Sequence, residues 1–344
     1  MAPLDIIIVG AGIAGLSATI ALRKQGHKIT VLERSSFLQE AGAAIHVSPN
    51  CTRLLLRLGL DTKKFGGNSC VGFAQYDGSG ALKKRVDMGT LLQSFDSPFD
   101  LIHRADLHDA LKQLALDQEG EGPVPELLLG CRIQDIDTVA GTVSLEDKSK
   151  FHGDAIIGAD GVHSLCRTKI DTSVRPFPYG KSCYRWIVPR ATLLADPEIA
   201  PLIEEEGWFE EFSEGNRRLV MYPCRHNVAM NVAAFVPDSD IRMSGEGQDH
   251  LINDNRSSTG HLNIGCGQST ARGSLVQSFK HFSPGVQKIV SHASEDVGLW
   301  TLHDMKSLTT WTKDRLVLIG DAAHPFLPCE SHPRKGPVIK RADT

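Results

Sequence analysis

The fold turns on the stretch Leu4-Asp5-Ile6-Ile7-Ile8-Val9-Gly10-Ala11-Gly12-Ile13-Ala14-Gly15. Its first half is a short β-branched run of the kind buried in a parallel sheet, and it reads as a strand. Its second half is a Gly-x-Gly-x-x-Gly turn. After it come Leu16 to Gln25 with alanine and leucine at helical spacing, a breaker at Gly26, and a second strand over Lys28 to Glu33. In such a βαβ start Gly10 makes the tight bend, Gly12 lets backbone approach a pyrophosphate, and Gly15 lets the helix pack on the strand. The helix N-terminus then directs N–H groups at the phosphates. Glu33 lies about 20 residues on, where a carboxylate accepts hydrogen bonds from a ribose 2′-hydroxyl and repels a 2′-phosphate. The pattern predicts a bound dinucleotide whose adenosine carries no 2′-phosphate, without separating NAD from FAD.

Outward from this unit the character alternates. Asn50 to Leu58 reads as a leucine-rich helix, and Gly66 to Gly89 as strands around a hairpin with its turn at Asp77-Gly78-Ser79-Gly80. Asp106 to Leu116 returns to a helix with Asp106 placed to cap it, and Leu127 to Ile157 alternates like antiparallel strands closing on Ala155-Ile156-Ile157-Gly158. Strand-like runs dominate from Phe177 to Pro237. A segment rich in Gly, Ser, Asn and Asp covers Asp238 to Gly273, a helix is expected near Leu275 to Ala293, and a buried strand ends in the turn Gly320-Asp321. These patterns predict an α/β fold: a Rossmann-like dinucleotide domain over 1–65, 101–170 and 310–328, interleaved with a β-sheet substrate domain over 66–100 and 171–309. Residues 329–344 read as an irregular tail.

The formal net charge of -4 offers no basic excess for nucleic acid or anionic lipid, so a small-molecule partner is expected. No segment reaches the roughly 18 apolar residues of a membrane span. The eight cysteines are scattered, with no C-x-x-C pair and no zinc-ligand spacing, and read as reduced thiols of a cytoplasmic protein.

Two further motifs join the first: Gly158-Ala159-Asp160-Gly161-Val162-His163-Ser164-Leu165-Cys166-Arg167, and Arg315-Leu316-Val317-Leu318-Ile319-Gly320-Asp321-Ala322-Ala323-His324-Pro325. In this order the three resemble the single-component FAD-dependent aromatic-ring monooxygenases, in particular the fungal salicylate-hydroxylase-like branch, from Ile6 to about Pro328. The resemblance implies that Asp321 hydrogen-bonds the ribityl chain of FAD and that Asp160-Gly161 lies near the pyrophosphate and the path of the nicotinamide cofactor. It also implies that Arg104, in His103-Arg104-Ala105-Asp106-Leu107, reaches FAD. Ala41-Gly42-Ala43-Ala44-Ile45 matches the small-residue loop beside the flavin, with Ala44 where glycine is common. Taken alone, Arg104 also reads as a solvated charge, and 41–45 as an ordinary tight loop. Only one Gly-x-Gly-x-x-Gly is present, so NADPH or NADH is expected to bind transiently, to reduce FAD, with O2 as oxygen donor.

Ring hydroxylation proceeds best on a phenolate, so a cation and a phenol at the site would lower the substrate's pKa and hold its oxyanion. Arg185 in Tyr184-Arg185-Trp186 and Tyr222 in Met221-Tyr222-Pro223 look like the arginine and tyrosine of fungal phenol-dearomatising hydroxylases. A surface arginine and a core tyrosine are the bland alternatives, since strand residues alternate in and out. His46, His226 and His324 are candidate bases, although a lone histidine is more often structural. The expected reaction is hydroxylation of a phenolic or polyketide-derived aromatic in secondary metabolism. A salicylate-type catabolic hydroxylase, an isoprenoid epoxidase, a ring-expanding oxygenase, an NAD-dependent dehydrogenase and a non-catalytic relative stay open.

The sequence departs from the family after Pro328. Relatives continue into a glycine-rich turn and a long helix whose N-terminus faces the flavin ring, whereas Cys329-Glu330-Ser331-His332-Pro333-Arg334-Lys335-Gly336-Pro337 carries two prolines and no apolar period. The 344-residue chain is therefore expected to bind FAD weakly and either to fail to hydroxylate or to release hydrogen peroxide in place of product. FAD occupancy, and the ratio of product to NAD(P)H consumed, measured on this chain will check it; tight occupancy with stoichiometric product would refute it.

Overall fold

A computed structural model describes residues 2–36, 43–89, 95–242, 270–295, 297–325 and 327. The expectations placed on Ala41-Gly42, on most of the 238–273 segment and on the tail lie outside these residues. β1 (Asp5–Val9), the helix Ile13–Arg23 and β2 (Lys28–Leu32) form the expected βαβ start. β3 (Ala44–Val47), the helix Pro49–Leu58 and β4 (Asn68–Ser69) follow, then the hairpin of β5 (Gly72–Asp77) and β6 (Leu82–Asp87). β7 (Asp100–His103) runs directly into the helix Arg104–Leu116. Next come β8 (Glu126–Leu128), β9 (Ile133–Asp137), β10 (Thr142–Leu145), β11 (Lys150–His152), β12 (Ala155–Gly158) and the helix Leu165–Ile170. β13 (Phe177–Pro189), β14 (Trp208–Glu214), β15 (Arg217–Cys224) and β16 (Ala229–Pro237) precede the helices Thr270–Ser278 and Pro284–Ser291. β17 (Gly298–Asp304), β18 (Thr312–Lys313) and β19 (Leu316–Leu318) complete the strands.

The chain forms two compact units, one from Met1–Phe37, Glu121–Tyr179 and His303–Thr344, the other from Leu38–Gly120 and Gly180–Leu302. These boundaries differ from 1–65, 101–170 and 310–328: the stretches around β3 and Arg104–Leu116 group with the second unit. The reason is pairing, since β3 is hydrogen-bonded to β7 and its Ala44 is bonded by Tyr222 and Asn231 of β15 and β16.

The first unit is Rossmann-like. Its sheet has the order β18-β19-β12-β1-β2-β8, parallel throughout except for β18. β1 is central, which is why Ile6 to Val9 is continuously apolar: both faces are covered. Ile7, Val9, Leu32, Ile156, Leu316 and Leu318 share one core. β8 corrects the expectation for 127–157. It adds to the parallel sheet beside β2, and only β9-β10-β11 form the antiparallel run.

The second unit is built on a seven-stranded sheet of order β17-β13-β16-β15-β14-β5-β6. One face packs Tyr184, Trp186, Phe212, Met221 and Val232 against Phe279, Val286 and Ile289 of the two late helices. The single helix expected over 275–293 is broken into two, because Pro284 has no N–H to continue the first and is suited to open the second. Residues of alternate parity, Arg185, Asn231, Ala233 and Tyr222 among them, occupy the opposite face. No helix among the described residues is long and apolar enough to cross a membrane.

Asp106 does not cap its helix. The helix begins two residues earlier, at Arg104, and the Asp106 carboxylate instead accepts from Arg225 Nε (2.8 Å) and Nη2 (2.8 Å), with His103 Nδ1 at 3.3 Å. Arg225, His226 and Asn227 take left-handed backbone angles at the tip of the β15–β16 hairpin, and this ion pair pins that tip to the helix. Hydrogen bonding from Arg225 holds the Asp106 carboxyl below its usual range. A depressed carboxyl contributes stability above its unfolded pKa of about 3.9 and loses it as pH falls through the folded value. Asp106→Asn is therefore expected to lower Tm by roughly 1–3 °C near neutrality, with the gap to wild type closing below about pH 4. Thermal melts across pH check this, and a pH-independent gap would show that the ion pair is not its source.

Candidate active site

The Gly-rich turn of the first unit is held by close approach. A β-carbon on Gly10 would lie 2.5 Å from the Ala159 carbonyl oxygen, and one on Gly15 would lie 1.9 Å from that of Gly10. Gly10 also has φ +102°, a left-handed angle that costs glycine nothing. The site of a β-carbon on Gly12, by contrast, meets nothing within 4 Å. That open face, at the N-terminus of the helix Ile13–Arg23, is where a phosphate group can meet backbone.

Glu33 closes the same turn. Its Oε2 accepts from the Ala11 N–H at 2.8 Å and its Oε1 from the Ser35 N–H at 2.7 Å. Each carboxylate oxygen has a second lone pair, so ribose hydroxyls can be accepted without giving up either backbone bond.

Asp160 sits just after β12, next to Ala159, which meets Gly10. It anchors the helix Leu165–Ile170, with Oδ1 accepting from Ser164 Oγ (2.5 Å) and Oδ2 from the N–H groups of Leu165 (2.7 Å) and Cys166 (3.0 Å). Asp321 follows β19, exposed, in the short turn Gly320–Ala322. What links the two motifs is Arg167, which the sequence reading quoted and assigned no task. Its guanidinium, 1% exposed, donates to the carbonyls of Asp321 (3.3 Å), Ala322 (3.0 Å) and Val162. Burial pulls its pKa down while Asp160 and Asp321 push it back up. The spacing held the signal: Arg167 falls two turns of chain after Asp160, on the helix that Asp160 starts.

In the second unit the register lays out the sheet face opposite the two late helices. Phe73, Phe209, Tyr222, Asn231 and Ile187 form one row across β5, β14, β15, β16 and β13. Gln75, Glu211, Val220, Ala233 and Arg185 form the next. Arg185 and Tyr222 thus share a face, two strand spacings and one row apart, about 12 Å. The half-buried Arg185 holds its guanidinium carbon 5.8 Å from the Trp300 ring centroid. Phe209 lies between Phe73 (5.2 Å) and Tyr222, stacked on the latter at 5.1 Å and 10°. Ala44 is buried, and its two backbone polar groups bond Asn231 Oδ1 and the Tyr222 hydroxyl. Arg104 opens its helix and donates its own N–H to the Ala43 carbonyl at 2.9 Å. Gly10, Gly12, Gly15, Glu33, Asp160 and Asp321 therefore assemble in the first unit, and Ala44, Arg104, Arg185 and Tyr222 in the second.

The candidate bases divide. His226 Nε2 donates to the Lys63 carbonyl at 2.9 Å, a structural pin, and His324 packs on Trp311. His46 stacks on Phe99 at 5.7 Å with its pKa lowered by burial.

Residues 3–227 match the family described as FAD binding domain, and the chain is 32% identical over 335 residues to the FAD-dependent monooxygenase cfoG of Aspergillus candidus (94% of this chain, 73% of that protein). It belongs to the FAD-dependent monooxygenases. Hispidin-3-hydroxylase of Neonothopanus nambi is 29% identical over 340 residues (94% and 75%), and 3-amino-4-hydroxybenzoate 2-monooxygenase of Streptomyces cremeus 29% over 330 residues (94% and 73%). Among solved structures, Klebsiella pneumoniae HpxO complexed with FAD and uric acid shares the fold at TM-score 0.73 and 23% identity, covering 94% of this chain and 74% of that one. The open face at Gly12, the unspent lone pairs of Glu33 and the helix N-terminus together fit the adenosine diphosphate half of FAD in this monooxygenase.

Two variants separate Glu33 of that half-site from the turn that carries Asp321. Glu33→Ala removes the carboxylate expected to accept from the ribose, and is expected to weaken FAD binding by roughly 1–3 kcal/mol. Arg167→Met unties the Asp321 turn without touching Gly12 or Glu33, leaving three carbonyls short of a donor, and is expected to lower both Tm and FAD affinity. Flavin fluorescence titration of the apoproteins measures both, and unchanged occupancy in Glu33→Ala would exclude it as the ribose anchor.

Proposed function

We propose that this monooxygenase hydroxylates a phenolic or polyketide-derived aromatic, with NADPH or NADH as reductant and O2 as oxygen donor, in secondary metabolism in the cytoplasm. The first unit serves as the FAD domain and the second as the substrate domain. The observation that carries the reading is that on one sheet face of the second unit a half-buried cation, Arg185, shares a surface with the aromatic row Phe73–Phe209–Tyr222. The names of the relatives, hispidin-3-hydroxylase and 3-amino-4-hydroxybenzoate 2-monooxygenase, point to the same class of ring.

Bound FAD supplies the redox and oxygen-activating chemistry. The chain supplies position and charge. Gly12, Glu33, Asp160 and Asp321 of the first unit would hold and orient the cofactor. Rings on the sheet face stack on the substrate ring at little conformational cost. The Arg185 guanidinium, always charged, binds the phenolate oxygen and stabilises it over the phenol, so that the ring is more electron-rich at neutral pH. With a single Gly-x-Gly-x-x-Gly, the nicotinamide nucleotide binds without a domain of its own.

Protein titrated with FAD should develop a bound-flavin absorbance spectrum, and any product that a screen of phenolic acids and phenolic polyketides returns should be heavier by one oxygen. Arg185→Ala should retain FAD, lose roughly 100-fold or more in kcat/KM, and move the activity profile to higher pH because the phenol then ionises unaided. Full activity of Arg185→Ala at neutral pH would remove it from the reaction.

A further inference from the structure

Glu210 stands on the helix-covered face of the seven-stranded sheet, in the row Arg85, Ala74, Glu210, Met221 and Val232 across β6, β5, β14, β15 and β16. Trp208 and Phe212 flank it along its own strand on the same face. Phe212, Met221 and Val232 belong to the core. Glu210 is 5% exposed, and its Oε2 is buried with no hydrogen-bond partner among the described residues. An ionised carboxylate in such a place is costly unless it is paired, and the group takes up a proton instead. Burial pushes the Glu210 carboxyl well above the usual range; Arg85 and Arg190 pull it down, and Glu205 pushes it up.

The groups that face it are engaged elsewhere. Arg190 opens the helix Arg190–Leu194 and donates through Nη2 to the carbonyls of Ile203 (2.8 Å) and Glu204 (2.9 Å), with Nη1 3.4 Å from Glu206 Oε1. Tyr76 of β5 is stacked on Phe212. Arg85 holds its guanidinium carbon 3.6 Å from the Trp208 ring centroid and its Nη2 2.6 Å from Glu205 Oε2, in the turn before β14. Arg190 is buried and spends its donors on backbone, so it is fixed. The Arg85–Glu205 pair is exposed, of the kind that contributes little to stability, and Ala74, a single methyl group, separates Arg85 from Glu210 in the row.

We propose that Glu210 is stored as a neutral carboxylic acid and forms with Arg85 a pH-sensitive switch: when its proton leaves to solvent, the guanidinium gives up Glu205 and turns to the new carboxylate. Trp208 then loses the cation over its ring, and the β5–β6 hairpin exchanges its tie to the turn before β14 for one to β14 itself. All of these residues lie in the second unit, and the switch requires neither FAD nor substrate.

The full 344-residue chain, its Glu210→Gln variant and its Trp208→Phe variant are followed across pH by tryptophan emission and thermal melts. Wild-type emission is expected to change in a step above the ordinary carboxylate range, and Glu210→Gln, which has no proton to lose there, should lack that step. Trp208→Phe should lack the step as well while keeping the wild-type dependence of Tm on pH. A raised carboxyl contributes stability that is complete below its unfolded pKa of about 4.3 and is lost as pH rises through the folded value. The Tm difference should therefore move in favour of Glu210→Gln by roughly 3–6 °C between about pH 4 and about pH 8. If Glu210→Gln fails to fold, the infrared absorption of a neutral carboxyl at neutral pH, read on the wild-type chain, decides whether the proton is stored. Its absence, or a Tm difference that does not change with pH, would overturn the stored proton. An emission step that survives in Glu210→Gln, or no step in the wild type, would overturn the switch.

Discussion

A side chain on Gly15 would put a β-carbon 1.9 Å from the Gly10 carbonyl oxygen, and one on Gly10 would reach 2.5 Å from that of Ala159. Backbone of β1, of the following helix and of the loop after β12 therefore meets with no room for side chains. This contact sets how the helix Ile13–Arg23 leaves the sheet and where its N-terminus stands. It also places Ala11 so that its N–H reaches Glu33, and Ala159-Asp160 so that the second motif starts beside the first. The phosphate-facing geometry of the first unit follows from that packing.

Charge does the joining that backbone contact cannot. Burying a guanidinium is costly unless its donors are used, and Arg167 uses its terminal nitrogens on three carbonyls. Two of them belong to the turn that carries Asp321, and the third to the loop that carries Asp160. A lysine would supply neither the planar fork nor the reach to serve both loops at once. Asp160, bound to the N-terminus of the helix that carries Arg167, closes the arrangement from the other side.

In the second unit the same sheet does two jobs because its faces differ. One face is a core of Tyr184, Trp186, Phe212, Met221 and Val232 under two helices, with the Phe212 ring stacked on Tyr76 at 4.8 Å. That packing makes the sheet stiff. The other face can then offer side chains at defined spacing: Arg185 beside Trp300, the aromatic row ending in Tyr222, and Asn231 next to it. Period-two alternation alone divides Tyr184 and Trp186 from Arg185, and Met221 from Tyr222.

Much of this was legible in the chain itself. A β-branched run entering Gly-x-Gly-x-x-Gly, with a carboxylate at the end of the next strand, has few folded solutions, so β1, its helix, β2 and the partnership of Gly10, Gly15 and Glu33 could be read locally. Turn chemistry at Asp77-Gly78-Ser79-Gly80 likewise placed the β5–β6 hairpin. The sequence could not show that β8 adds to the parallel sheet, since a three-residue strand carries too little period to declare its partner. Nor could it show that Asp106 turns from its own helix to Arg225, because that pair spans 119 residues. The side-chain hydrogen bonds to Ala44 and the tether of Arg167 are decided by tertiary structure for the same reason. A hydrogen bond between residues 154 to 187 positions apart leaves no local pattern, and its partners are specified only when separate strands have found their register.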